Sequence, residues 1–123
     1  MIRGIGCDLC AISRMEEIIG DSRFLERYFS EEERRYIFDH VQRAQTAAGI
    51  FAAKEALVKA LGMGFAGLAA QHVAVTHTGS GAPEYVINEK TRAALASCGA
   101  ARAFLSISHD GDYALATAVL EGE

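Results

Sequence analysis

No stretch of this sequence is apolar for long enough to cross a bilayer, because Lys, Glu, Arg or His interrupts every hydrophobic run. The opening residues "MIRGIGCD" have neither the long apolar segment nor the small-residue cleavage site of a secretion signal, so a cytoplasmic location is expected. There are only three cysteines, expected to be free thiols in a reducing compartment. Cys7 and Cys10 form one C-x-x-C. No second pair exists to complete a zinc site, and Cys98 stands alone. Positive charge is not in excess: 12 Lys and Arg face 16 Asp and Glu, a net charge of -4, which argues against nucleic acid as a partner. Internal repeats and low-complexity linkers are also missing.

What is present is globular. The chain has 123 residues, 50% hydrophobic and 23% charged, which fits a single domain over 1–123. A domain this short buries only about two thirds of its unfolded surface, so a subunit partner would add stability.

Residues 1–9 read as a strand with Asp8 at its end. Ser13 with Glu16 reads as a helix start, 22–28 as a further helical turn or two, and Ser30 with Glu33 as a capping box on a helix to about residue 39. The alanine-rich, proline-free segment Ala44–Leu61 predicts one long helix, ended by Gly62 as a left-handed cap. "HVAVTH" and "EYVI" flank the turn residues "TGSGAP" and read as a hairpin. Asn88 caps a helix ending near Gly99, and "AFLSISH" and "YALATAVLE" are strands joined by a tight "DGD" turn. This order predicts an α+β fold, a mainly antiparallel sheet packed on one long helix.

Four residues carry candidate chemistry. Asp8 is a carboxylate among Ile5, Cys7 and Leu9, and needs a partner or a cation. Glu55 sits among apolar neighbours on the long helix, with Lys59 one turn on. The bland reading is a helix ion pair worth a few tenths of a kcal/mol. The sharper one is a pair of carboxylates for Mg²⁺, which takes one or two of them plus phosphate oxygens, with Lys59 as a point charge for that phosphate. His109 ends the run "SISH" and reads as an exposed turn residue or a ligand-binding imidazole. Ser106 and Ser108 share the opposite strand face and offer hydrogen bonds. His72 and His77 flank a strand without companions and read as structural. The arginines of the first third, Arg14, Arg23 and Arg27 among them, alternate with glutamates. They form either a solvated mixed-charge surface or a docking patch for an acidic partner. Cys7 and Cys10 lie in strand rather than at a helix N-terminus, so a redox role lacks the environment that activates a thiol.

Taken in order, "GIGCDLCAISR", "RFLERYFSEEE", "FAAKEALVKALGMG", "GAPEYVI" and "SISHDGDYALATAVLE" give a pattern that resembles the short, holo-[acyl-carrier-protein] synthase branch of the phosphopantetheinyl transferases. The resemblance covers essentially the whole chain. It implies transfer of 4'-phosphopantetheine from coenzyme A to a serine of apo acyl carrier protein. It also implies Mg²⁺ on Asp8 and Glu55, and Lys59 close to the pyrophosphate. Gly62, Ser108 and His109 would lie near coenzyme A, with Arg14, and with it Arg23 and Arg27, facing the acidic carrier. The family is typically a homotrimer with shared active sites. This chain departs from it in carrying Ile50 where arginine is common, and in the cysteines beside Asp8. Two rivals remain at this point: a binding protein that has lost turnover, and a thiol redox protein built on Cys7 and Cys10.

Overall fold

A strand of 10 residues, β1 (Ile2–Ala11), opens the fold. The computed structural model describes residues 1–123. Three short helices follow, α1 (Ile12–Ile18), α2 (Ser22–Tyr28) and α3 (Glu31–Phe38), and then the long helix α4 (Arg43–Ala60). The chain continues through β2 (Ala74–His77), β3 (Pro83–Val86), α5 (Glu89–Ser97), β4 (Arg102–Asp110) and β5 (Tyr113–Glu121). The α+β expectation holds. Pairing is antiparallel throughout but falls into two pieces: a three-stranded sheet in the order β1-β5-β4, and the separate hairpin β2-β3.

α4 is the axis of the core. Its alanines Ala47, Ala48, Ala52, Ala53 and Ala56 are fully buried, as are Ala114, Ala116 and Ala118 on the central strand β5. Small side chains on both sides let helix and sheet approach closely. Two glycines of β1 take this further: a methyl group on Gly4 or Gly6 would overlap the carbonyl of Ala60 or Ala56. β1 therefore lies directly against the last two turns of α4. Gly62, at φ +73°, then ends the helix. Its N–H donates to Lys59 O at 3.0 Å and that of Met63 to Val58 O at 2.9 Å, the paired bonds of a Schellman cap.

The capping box on α3 forms as expected: Glu33 N–H donates to Ser30 Oγ at 3.2 Å, and Ser30 N–H to Glu33 Oε1 at 2.8 Å. Glu33, however, does not belong to a solvated face. It is 2% exposed and pairs at 2.7 Å with Lys54, which is fully buried. Lys54 Nζ also donates to Ala70 O at 2.8 Å and Val73 O at 2.7 Å, while Val75 N–H donates to Glu33 Oε2 at 2.8 Å. An ammonium has three donors, and here each has an acceptor. Burial pulls the Lys54 pKa down, and the Glu33 carboxylate opposes that pull.

One local expectation fails. Ser13 does not cap α1: the helix begins at Ile12, and its N-cap residue Ala11 makes no side-chain bond. The N–H of Ile12 instead donates at 2.7 Å to Asp112 O, in the β4–β5 turn. A tertiary contact thus sets the helix start. Asp21, by contrast, caps α2 by accepting from the N–H groups of Arg23 and Phe24.

Candidate active site

The close seat of β1 on α4 brings Asp8 to the flank of the helix that carries Glu55 and Lys59. Lys59 Nζ donates to Asp8 Oδ1 at 2.8 Å and to Cys7 O at 3.2 Å. The Asp8 side chain is 11% exposed, and Lys59 reaches it from solvent. Glu55 lies beside Asp8, and its pKa is raised by burial first and then by the neighbouring Asp8 carboxylate, with Lys59 and Arg14 pulling the other way. The hydrogen bond to Asp8 is the main cause that raises Lys59. Asp8, Glu55, Lys59 and Arg14 thus converge from three elements, β1, α1 and α4. Two carboxylates held together against their repulsion, with a lysine beside them, suit a hard divalent cation that also takes phosphate oxygens. No group of three or more His, Cys, Asp or Glu forms a closed metal cage. An open two-carboxylate site of this kind leaves positions for substrate oxygens.

His109 is not at this cluster. In sheet register Asp8 lies opposite Ala116, and Ala116 opposite Ile107, while His109 pairs with Ala114 on the far side of β5. One strand, β5, lies between β1 and β4, so two inter-strand spacings, about 10 Å, separate Asp8 from β4, and α4 runs over that strand. His109 packs instead on Gly49 of α4, where an added Cβ would sit 3.0 Å from His109 Nε2. There it lines a cleft of about 280 Å³ with Tyr36, Thr46, Ile50, His77 and Pro83. His77, read as structural in the sequence, therefore shares a cleft with His109. No local pattern signals this, because the hairpin β2-β3 brings His77 there. Ser106 and Ser108 lie on the outward sheet face, away from His109, and Gly62 lies exposed just past the end of α4. Arg14, Arg23 and Arg27 are all exposed on α1 and α2. A larger cleft, about 640 Å³ between α2 and α3, contains none of the four candidate residues.

The C-x-x-C is not a redox centre. Positions three apart on a strand point to opposite faces: Cys7 is exposed on the outer sheet face and Cys10 is buried against the core. Burial pushes the Cys10 thiol pKa up, away from reactivity.

The family model described as the 4'-phosphopantetheinyl transferase superfamily matches residues 4–118. A holo-[acyl-carrier-protein] synthase of Clostridium acetobutylicum is 41% identical over 122 residues, covering 98% of each chain. The crystal structure of a holo-[acyl-carrier-protein] synthase from Neisseria meningitidis superposes with a TM-score of 0.89 at 30% identity, covering 98% of this chain and 99% of that one. One from Bacillus anthracis, in complex with CoA (3',5'-ADP), superposes with a TM-score of 0.83 at 31% identity, covering 100% and 99%. Sequence, fold and the carboxylate-lysine cluster agree along nearly the whole chain, which belongs to the 4'-phosphopantetheinyl transferase superfamily and, within it, to the holo-[acyl-carrier-protein] synthases.

Proposed function

We propose that this chain transfers 4'-phosphopantetheine from coenzyme A to a serine of apo acyl carrier protein, using Mg²⁺ held by Asp8 and Glu55. The observation that carries the site assignment is the convergence of Asp8, Glu55 and Lys59 where β1 meets α4. Attack by a serine oxygen on a phosphodiester phosphorus spreads charge over the equatorial oxygens and the leaving group, so positioning and electrostatic stabilisation do most of the catalysis. Bound Mg²⁺ supplies charge neutralisation on the pyrophosphate. The residues do the rest. Asp8 and Glu55 offer the oxygen donors, and Lys59 offers a cation within reach of the same oxygens. Gly62 leaves the end of α4 uncrowded. Arg14 is near enough to act on Glu55, and Arg14, Arg23 and Arg27 are all exposed, so an acidic carrier docked on these arginines would bring its serine toward the carboxylates. Complementary charge of this kind mainly speeds encounter and sets specificity.

A homotrimer with shared active sites belongs to the same proposal, and two observations support it. First, the outer sheet face is apolar and uncovered: Ile5 is 64% exposed, Leu9 58% and Phe104 52%. Second, Ser108 and His109 do not reach Asp8 within one chain, so a neighbouring copy would have to supply them. A cytoplasmic location is part of the reading and is consistent with three unpaired thiols. No helix is long and apolar enough to cross a membrane.

The test is mass spectrometry of a purified apo acyl carrier protein incubated with this protein, coenzyme A and Mg²⁺. The expected result is a gain of one phosphopantetheine, abolished by EDTA. No gain overturns the transferase reading, and a gain unaffected by EDTA overturns the metal assignment. Light scattering checks the assembly against three copies of the 13.2 kDa chain.

A further inference from the structure

Lys54 and Glu55 are neighbours on α4, yet their side chains serve different parts of the molecule. Glu55 lies beside Asp8. The Lys54 ammonium lies 5.8 Å from the centroid of the Phe29 ring, and Phe29 is the fully buried residue that ends α2. Lys54 also donates to Ala70 O and Val73 O, at the start and just past the end of the turn Ala70–His72, against which α2 packs. Its partner Glu33 accepts from the N–H of Ser30, the residue after Phe29. The Phe29 ring meets Phe24 of α2 and Phe51 of α4, each at 6.4 Å between centroids. So α2 is seated on Lys54 in three ways: through its own last residue, through the turn beneath it, and through the first residue beyond it. Arg23 and Arg27 ride on that helix, exposed.

We propose that Lys54 is a positioning residue: paired with Glu33, it fixes the reach from the arginines of α2 to the Asp8, Glu55 and Lys59 cluster, and so sets where the carrier's serine is delivered. This rests on the transferase reading above, with the carrier docked on α2. Lys54 is fully buried and its three donors are satisfied within the protein, so it acts through the parts it joins and not on substrate. Stability is a weak reason to keep such a pair, because well-packed apolar side chains of similar volume serve as well or better. Direction is a stronger one. Apolar cores accept many packings and lose uniqueness before they lose stability, whereas this pair ties α4, α3 and residues 70–75 at set hydrogen-bond distances. Catalysis by positioning is steep in distance: a misplacement of about 1 Å costs about a hundredfold in rate. A loosened α2 keeps its arginines, and with them its affinity for an acidic carrier. Asp8, Glu55 and Lys59 keep their hold on coenzyme A. What falls is the rate once both are bound.

The experiment is single-turnover transfer to apo acyl carrier protein at saturating coenzyme A and carrier, with steady-state KM for each measured alongside, on the full-length protein. It runs at low temperature, with the folded fraction taken from circular dichroism. Phe29→Leu removes the ring beside the ammonium and leaves the ion pair; Lys54→Met removes the ammonium. Leu95→Ala opens the buried face of α5, off this path, and serves as a destabilised control. Per folded molecule, Phe29→Leu and Lys54→Met should lose at least about tenfold in the saturated rate, with both KM values within about twofold. Leu95→Ala should keep the wild-type rate. A wild-type rate in Phe29→Leu overturns the proposal, and that variant decides alone if Lys54→Met does not fold. An equal loss in Leu95→Ala overturns it as well, because the effect is then general loosening. A raised carrier KM at an unchanged saturated rate also overturns it, since Lys54 would then shape the docking surface and not the delivery. Wild-type protein that modifies no carrier overturns the transferase reading itself.

Discussion

Glu55 and Asp8 sit side by side at the join of α4 and β1, and the Glu55 carboxyl is held above its ordinary pKa by burial and by Asp8. A carboxylate whose folded pKa is raised stabilises the fold below its unfolded value, and that stability is lost as pH rises through the folded pKa. At neutral pH the metal-free site is therefore under strain. Glu55→Gln should raise the Tm of metal-free protein by a few degrees near neutral pH, with the gain vanishing below the ordinary glutamate range. The same variant should lose more than about a hundredfold in transfer rate. Thermal melts across pH, with and without Mg²⁺, check both; wild-type protein alone should be further stabilised by the metal.

Lys54 and Glu33 form a fully satisfied buried pair, so removing one partner leaves an uncompensated charge. Lys54→Met should cost about 3–5 kcal/mol of stability, read from urea unfolding midpoints. Glu33→Gln should also be destabilising: Ser30 and Val75 donate to different Glu33 oxygens, and the single amide oxygen can accept from only one of them, leaving the NH2 against the other N–H.

Gly6→Ala places a methyl group in the Ala56 carbonyl, so β1 and α4 must part. Overpacking of this kind costs about 1–3 kcal/mol. Because Asp8 moves with β1, transfer rate should fall more than stability alone explains. Activity of the folded fraction at low temperature, set against circular dichroism, separates the two.

Arg14→Glu should raise KM for the carrier protein at least about tenfold while changing that for coenzyme A by less than about twofold. Added salt should narrow the difference between wild type and variant. Equal losses for both substrates would place Arg14 at the coenzyme rather than at the carrier.

The double variant Cys7→Ser, Cys10→Ser should keep transfer activity within about twofold, with a modest loss of stability from the buried position. Loss of activity with the fold intact would give the thiols a role that their opposite-facing geometry does not provide.

Much of this was legible in the sequence because it is local. The capping box at Ser30, the glycine stop at Gly62 and the two hairpins depend on residues a few positions apart. Residue chemistry raised the grouping of Asp8 with Glu55 and Lys59 beside a plain helix pair, and the resemblance chose between them. What escaped was set by tertiary contact. The start of α1 answers to Asp112 in a distant turn, the burial of Glu33 answers to Lys54, and His77 shares a cleft with His109 only because a hairpin folds it there. Strand periodicity correctly places Ser108 and His109 on opposite faces. It cannot tell which flank of α4 each candidate occupies.

That α4 carries Glu55 on one flank and the seat of His109 on the other bears on mixed populations of chains. In the proposed trimer each copy lends its carboxylates to one centre and its His109 imidazole to the next. An Asp8→Asn chain and a His109→Gln chain, each inactive alone, should then complement when co-assembled, since every mixed ring contains one centre built from two undamaged halves.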